Sequence, residues 1–227
     1  MLNLHLISSF VVQNKLVSYY IHSFFTPDKH ELSLDKLGLP QNHNYSPQRL
    51  TDFSTGRYCA IQALEKLGIN DSIIPIGVDR EPIWPEGIVG SISHCNSFAG
   101  AIVSKKKDHI SLGLDIEEIG RVTPDLWDLV FTENEKNYLS GLSEKEMLLQ
   151  STAIFSAKEA FYKFQHPITK TFLDFLDVEV TLPHMHRIMI LKTNVSKMEI
   201  LQNHTVDVLV KEKVVVTILY TSGSFEK

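Results

Sequence analysis

The chain has 227 residues, 43% apolar and 22% charged, with a formal net charge of -5. This is a soluble globular composition, long enough for one large domain or two small ones, and its acidity argues against non-specific nucleic-acid binding. Two cysteines without a CxxC pair argue against a zinc site or a disulfide scaffold, and no apolar run approaches the ~20 residues of a membrane span.

The N-terminus lacks the basic region of a signal peptide, the first Lys or Arg being Lys15. A cytoplasmic protein without stable membrane insertion is therefore expected, and a monomer is expected as well. Leu2, Leu4 and Leu6 alternate with polar residues as in a half-buried opening strand. Residues 26–46 are rich in Pro, Asn, His and Asp and read as a long loop. Ser46-Pro47 supplies an N-cap and a first-turn proline for a helix that ends at Gly68. Strands are expected over 72–78, 88–94 and 98–104, followed by a boundary near Lys105 to His109. The division is thus 1–107 and 108–227.

The second half opens with a strand over 110–117. Two capping boxes follow, Thr132 with Glu135 and Ser143 with Glu146. The second starts a long helix that His166-Pro167 is expected to end. Strands near 177–182, 187–191, 206–210 and 213–220 complete the chain. Each half holds a helix and several strands, an α+β pattern.

Asp115 and Glu117 in Gly113-Leu114-Asp115-Ile116-Glu117 project from one face of a strand. Two close carboxylates repel, and a divalent cation such as Mg²⁺ resolves the repulsion. A solvated acidic strand face is the alternative. Glu159 lies 42 residues beyond Glu117, between Lys158 and Lys163. Its helix carries Ala157, Ala160, Phe161 and Phe164, so the charged residues need partners if it is buried; a surface Glu-Lys pair is the other reading. His94 at a strand end can donate to phosphate or be satisfied within the core. Ser93 and His94 face opposite ways on a strand, which disfavours a Ser-His catalytic pair. Arg49 and Arg57, two helical turns apart, share a face and can hold phosphate bidentately. There is no Walker A loop, no GxGxxG and no GxSxG.

The ordered set of motifs resembles the 4'-phosphopantetheinyl transferases of the Sfp type, in the enterobactin-synthase-component-D-like branch. The motifs are Gly56-Arg57-Tyr58-Cys59-Ala60, Arg80-Glu81-Pro82-Ile83-Trp84-Pro85-Glu86-Gly87, Gly90-Ser91-Ile92-Ser93-His94-Cys95, Gly113 to Glu117, Phe155-Ser156-Ala157-Lys158-Glu159-Ala160 and Phe172 to Asp177. The resemblance implies a pseudodimer of two similar α+β halves with the active site in the cleft between them. It implies coenzyme A as substrate, Mg²⁺ on Asp115, Glu117 and Glu159, and an apo acyl, peptidyl or aryl carrier protein as partner. It places Arg49, Arg57, Arg80, Ser93, His94, Asp115, Lys158 and Lys163 at or near coenzyme A. Glu81 stands where some relatives carry a basic residue.

The implied reaction moves phosphopantetheine to a carrier serine and yields adenosine 3',5'-bisphosphate. Glu159 is then the base and Lys158 stabilises charge on the leaving phosphate. The branch leans towards siderophore synthesis. Two other readings are a catalytically weak carrier-binding relative and a metal-dependent nuclease or phosphodiesterase. The helical position of Lys158-Glu159 and the acidic charge argue against the nuclease.

Overall fold

A computed structural model describes residues 6–12, 15–23, 37, 46–96, 98–184, 187–193, 204–211 and 213–221. They fall into two compact units divided between Leu112 and Gly113. Each unit packs a helix on a sheet, so the α+β expectation holds.

The first unit has strands β1 (Leu6–Val12), β2 (Lys15–Ser23), β3 (Ile88–His94) and β4 (Phe98–Lys105), and helix α1 (Pro47–Lys66). The antiparallel sheet runs in the order β1-β2-β4-β3. Ser46 caps α1 by accepting from the Arg49 amide at 3.2 Å, and Pro47 opens its first turn. Cys59, Ala60, Ala63 and Leu64 form the buried stripe of α1, in one core with Ile88, Ala99, Ala101 and Val103. Small side chains on both elements let the helix settle close to the sheet.

One expectation changes here, and two fall mostly outside the described residues. The predicted opening strand falls mostly on residues 2–5, outside the described residues, as does most of the predicted 26–46 loop; the hairpin β1–β2 was not foreseen. Residues 72–78 form no strand, only an isolated bridge between Ile76 and Pro82. Pro75 has no N–H for a ladder and its carbonyl accepts from Ile83 at 3.0 Å, so the segment folds back on itself.

The second unit has β5 (Leu112–Glu118), short helix α2 (Trp127–Val130), α3 (Glu133–Ser140), α4 (Glu144–Thr169), and β6 (Val178–His184), β7 (Arg187–Thr193), β8 (His204–Lys211) and β9 (Val214–Thr221). Its sheet order is β5-β9-β8-β7-β6. Both predicted capping boxes are present, at the starts of α3 and α4. Ile154, Ala157, Ala160, Phe161 and Phe164 of α4 share a core with Val178, Val180, Val206, Val208, Val215 and Leu219. A buried hydroxyl pair, Ser156 to Thr217 at 2.9 Å, pins α4 to β9.

Pro167 does not end α4, which continues to Thr169. In the last turn its missing N–H removes one i→i−4 bond, and just past the helix end the Thr171 carbonyl accepts from the Gln165 side chain at 3.0 Å. Lys170, in left-handed conformation at φ 53°, closes the helix.

Candidate active site

The site grows from the contact of β5 with α4. Gly113 lies against α4 so closely that an added Cβ would stand 2.1 Å from the Ala160 carbonyl oxygen. Residues i and i+2 of a strand share a face. Asp115 therefore points the same way as Gly113, towards α4, and Glu117 follows it. On α4, Lys163 is four residues from Glu159, one turn along the same side. Its ammonium donates to Asp115 Oδ1 at 2.8 Å.

Asp115, Glu117 and Glu159 lie within electrostatic reach of one another. Burial, then the neighbouring Asp115 charge, push the Glu117 carboxyl up to about 8, while Arg121 and Lys163 pull the other way. Burial also raises Glu159; Lys163 opposes that and Asp115 adds to it. Among the described residues, no three His, Cys, Asp or Glu side chains are gathered closely enough to enclose a metal ion. The donor chemistry nonetheless fits Mg²⁺, which takes one or two carboxylates and completes its shell with water and phosphate oxygen. Lys163 already supplies a cationic partner to the most buried of the three.

Lys158 is placed differently from the expectation that it faces a substrate phosphate. Its side chain is 1% exposed. Its ammonium donates to Glu135 Oε2 at 2.6 Å, the Val130 carbonyl at 2.8 Å and the Phe175 carbonyl at 2.9 Å. An ammonium has three N–H donors, and protein oxygens take all three. Burial lowers the Lys158 pKa, and Glu135 opposes that shift.

Beside Glu159 opens a cavity of about 240 Å³, lined by Lys158, Phe161, Tyr162, Phe172, Leu173, Asp174, Phe175 and Val178 among others. Four of these, Phe172 to Phe175, come from the Phe172–Asp177 motif, to which the sequence alone attaches no role. Phe172 is 77% exposed, an unusual place for so large an apolar ring.

The remaining predicted residues belong to the first unit. Arg49 and Arg80 are exposed, as is His94 at the end of edge strand β3, whereas Ser93 is buried. Arg57 does not share the exposure of Arg49. It is 6% exposed, and its Nε donates to the Ile74 carbonyl at 2.9 Å. Its guanidinium also covers the Phe53 ring at 4.6 Å. Arg57 thus anchors the 74–75 segment, which leads to Arg80.

Two family models match the chain: the 4'-phosphopantetheinyl transferase N-terminal domain over residues 40–104, and the 4'-phosphopantetheinyl transferase superfamily over 111–218. Enterobactin synthase component D of Escherichia coli K12 is 33% identical over 191 residues, 81% of this chain and 84% of that protein. The chain belongs to the 4'-phosphopantetheinyl transferase superfamily. Svp of Streptomyces mobaraensis, also named a 4'-phosphopantetheinyl transferase, is 36% identical over 137 residues, 60% of this chain. PptT of Mycobacterium tuberculosis is 34% identical over 134 residues, 59% of this chain. The matched stretch spans only 56% and 59% of those two relatives. A holo-(acyl-carrier-protein) synthase from Bacillus anthracis, solved with CoA (3',5'-ADP), aligns over 49% of this chain and 96% of its own, with 24% identity and a TM-score of 0.37. Among the described residues, no helix is long and apolar enough to cross a membrane.

The acidic cluster of this superfamily member gives its stability a definite pH dependence. Glu117 titrates near 4.5 when unfolded and about 8 when folded. Between those values the unfolded state has released a proton that the folded state keeps, so raising the pH favours unfolding. The contribution of Glu117 is complete below the lower value and is lost as pH rises through the upper one; Glu159 acts in the same sense. In a chelator, stability should fall from about pH 5 to pH 8 by up to ~1.4 kcal/mol per pH unit for one such group, read as a falling melting temperature. Binding of Mg²⁺ to the ionised carboxylates would flatten that fall. A flat melting profile in the chelator would contradict this description of the cluster.

Proposed function

We propose that the chain transfers the 4'-phosphopantetheine group of coenzyme A to a serine hydroxyl of an apo acyl, peptidyl or aryl carrier protein. The other product is adenosine 3',5'-bisphosphate. The observation that carries this reading is the grouping of Asp115, Glu117 and Glu159 around Lys163 where β5 meets α4. A pyrophosphate electrophile requires that combination of anionic cation-binding groups and positive charge. The superfamily membership supports it.

In this reading Asp115, Glu117 and Glu159 hold Mg²⁺, which neutralises pyrophosphate charge when bound. Glu159 takes the serine proton as a Ser Oγ–P bond forms at the phosphorus nearer pantetheine. The P–O bond to the adenosine side breaks, and the electron pair leaves on the departing phosphate. Burial keeps Glu159 a stronger base than a solvated carboxylate, while Lys163 keeps it ionisable. Lys163 exchanges its bond to Asp115 for a phosphate oxygen.

Arg49, Arg80, Ser93 and His94 contribute phosphate contacts from the first unit, and Arg57 holds the segment leading to Arg80. Lys158 acts from within the core rather than on the phosphate. The cavity beside Glu159 suits the slender pantetheine arm, whose gem-dimethyl and methylene groups match its aromatic walls. A two-half arrangement with the site between the halves is part of the same reading.

The test is release of adenosine 3',5'-bisphosphate from coenzyme A and Mg²⁺ in the presence of an apo carrier. Release that disappears when the carrier serine is changed to alanine supports transfer. Release independent of the carrier would support a phosphodiesterase instead.

A further inference from the structure

Glu135 is a buried carboxylate that neither cation binding nor phosphate chemistry requires. It is 2% exposed, although it occupies the third position of a helix. A capping-box glutamate there needs only one bond, to the N-cap amide. Glu135 makes three. Its Oε2 accepts from the Thr132 amide at 2.8 Å and from Lys158 Nζ at 2.6 Å, and its Oε1 accepts from the Val180 amide at 2.8 Å. Lys158 in turn ties in Val130 at the end of α2 and Phe175 in the turn before β6. One buried ion pair thus joins α2, α3, α4, β6 and that turn.

Its position relative to Glu159 gives it meaning. Lys158 and Glu159 are adjacent on α4, so their side chains are about 100° apart around the axis. Fixing Lys158 at three points in the core fixes the direction of Glu159. The same pair backs the cavity, since Lys158, Glu159 and Phe175 all line it. Phe175 also packs on Phe155 with ring centres 5.4 Å apart, and Phe155 lies one turn before Glu159 on α4.

We propose that Glu135 is a positioning residue for phosphopantetheine transfer: through Lys158 it holds α4 in the rotation that aims Glu159 at the acceptor hydroxyl. This rests on the reading of Glu159 as the base. A purely structural pair would behave differently, because buried ion pairs can be replaced by apolar residues without loss of stability.

The experiment measures kcat, the KM for coenzyme A and melting temperature for wild type, Glu135→Gln, Glu159→Gln and the double variant. Glu135→Gln should lower kcat about 10- to 100-fold, as expected for a base displaced by about an ångström. The KM should stay within about threefold, because only chemistry is misaligned. In the Glu159→Gln background the same change should cost less than about threefold, since the residue it positions is gone. An equal fold-loss in both backgrounds, or a wild-type kcat in folded Glu135→Gln, overturns the proposal. If Glu135→Gln does not fold, the apolar pair Glu135→Met with Lys158→Met is measured instead. A folded pair variant with wild-type kcat overturns the proposal, and a depressed kcat at unchanged KM upholds it. A wild-type chain without transfer overturns the proposed function and this inference together, whereas an active wild type with an unaffected variant overturns the inference alone.

Discussion

Glu159→Gln should lower turnover about 10²- to 10⁴-fold, the range that a positioned general base contributes. The amide keeps the shape of the carboxylate but can neither accept the serine proton nor serve as an anionic cation ligand. The fold should not suffer. Burial and the Asp115 charge both resist ionisation of Glu159, so a neutral side chain relieves strain in the cluster. Melting temperature in a chelator should hold or rise, most clearly at pH values where the native carboxylate is ionised. Loss of activity with retained stability separates a chemical role from a structural one. Near-normal turnover would remove Glu159 from the mechanism.

Gly113→Ala should damage both stability and activity, although it adds one methyl group. The added Cβ meets the Ala160 carbonyl oxygen at 2.1 Å and the carbonyl carbon at 3.0 Å. Both are helix backbone and cannot rotate away, so β5 must move off α4. Overpacking of this kind costs about 1–3 kcal/mol, occasionally more. The displacement also carries Asp115 and Glu117 away from Glu159 and Lys163. A shift of about 1 Å in a catalytic arrangement is enough for ~10²-fold in rate.

Gly56→Ala is the milder comparison. Its Cβ meets only the Ile92 Cγ2 methyl, at 2.9 Å, and the helix gains about 1 kcal/mol from replacing glycine. The stiff Ile92 side chain must shift to admit it, so the melting temperature should fall, but by less than in Gly113→Ala, where the clash is with helix backbone. Thermal melts and turnover measured on both variants check the contrast; equal tolerance of the two would contradict the close β5–α4 contact.

Local chemistry made much of this legible in the sequence. Ser46-Pro47, Thr132 with Glu135, and Ser143 with Glu146 mark helix starts, because those motifs satisfy orphan amides within four residues. The period-two spacing of Asp115 and Glu117 gave their shared face. Sequence and structure part where a distant partner decides. The 72–78 segment is apolar enough for a strand, but Pro75 and the fold-back onto Ile83 prevent one. Arg57 reads like Arg49 two turns earlier, yet the Ile74 carbonyl buries it.

Lys158 and Glu159 are neighbours in one apolar helix, and nothing local says which faces the core. That answer depends on Glu135, Val130 and Phe175, between 17 and 28 residues away in sequence. Glu135 itself was readable as a cap, but its bond to Val180, 45 residues on, was not. The cavity arises from Phe172 to Phe175 folding back on Tyr162 of α4; the Tyr162 and Phe172 rings meet edge-on at 6.0 Å.

Covalent transfer to a carrier serine is read out by intact-protein mass spectrometry of the carrier. After incubation with the chain, coenzyme A and Mg²⁺, an apo carrier should gain the mass of one phosphopantetheine group, mapped to its serine. The gain should vanish with the chelator and with Glu159→Gln. An unchanged carrier mass across acyl, peptidyl and aryl carriers would rule out phosphopantetheine transfer by this chain.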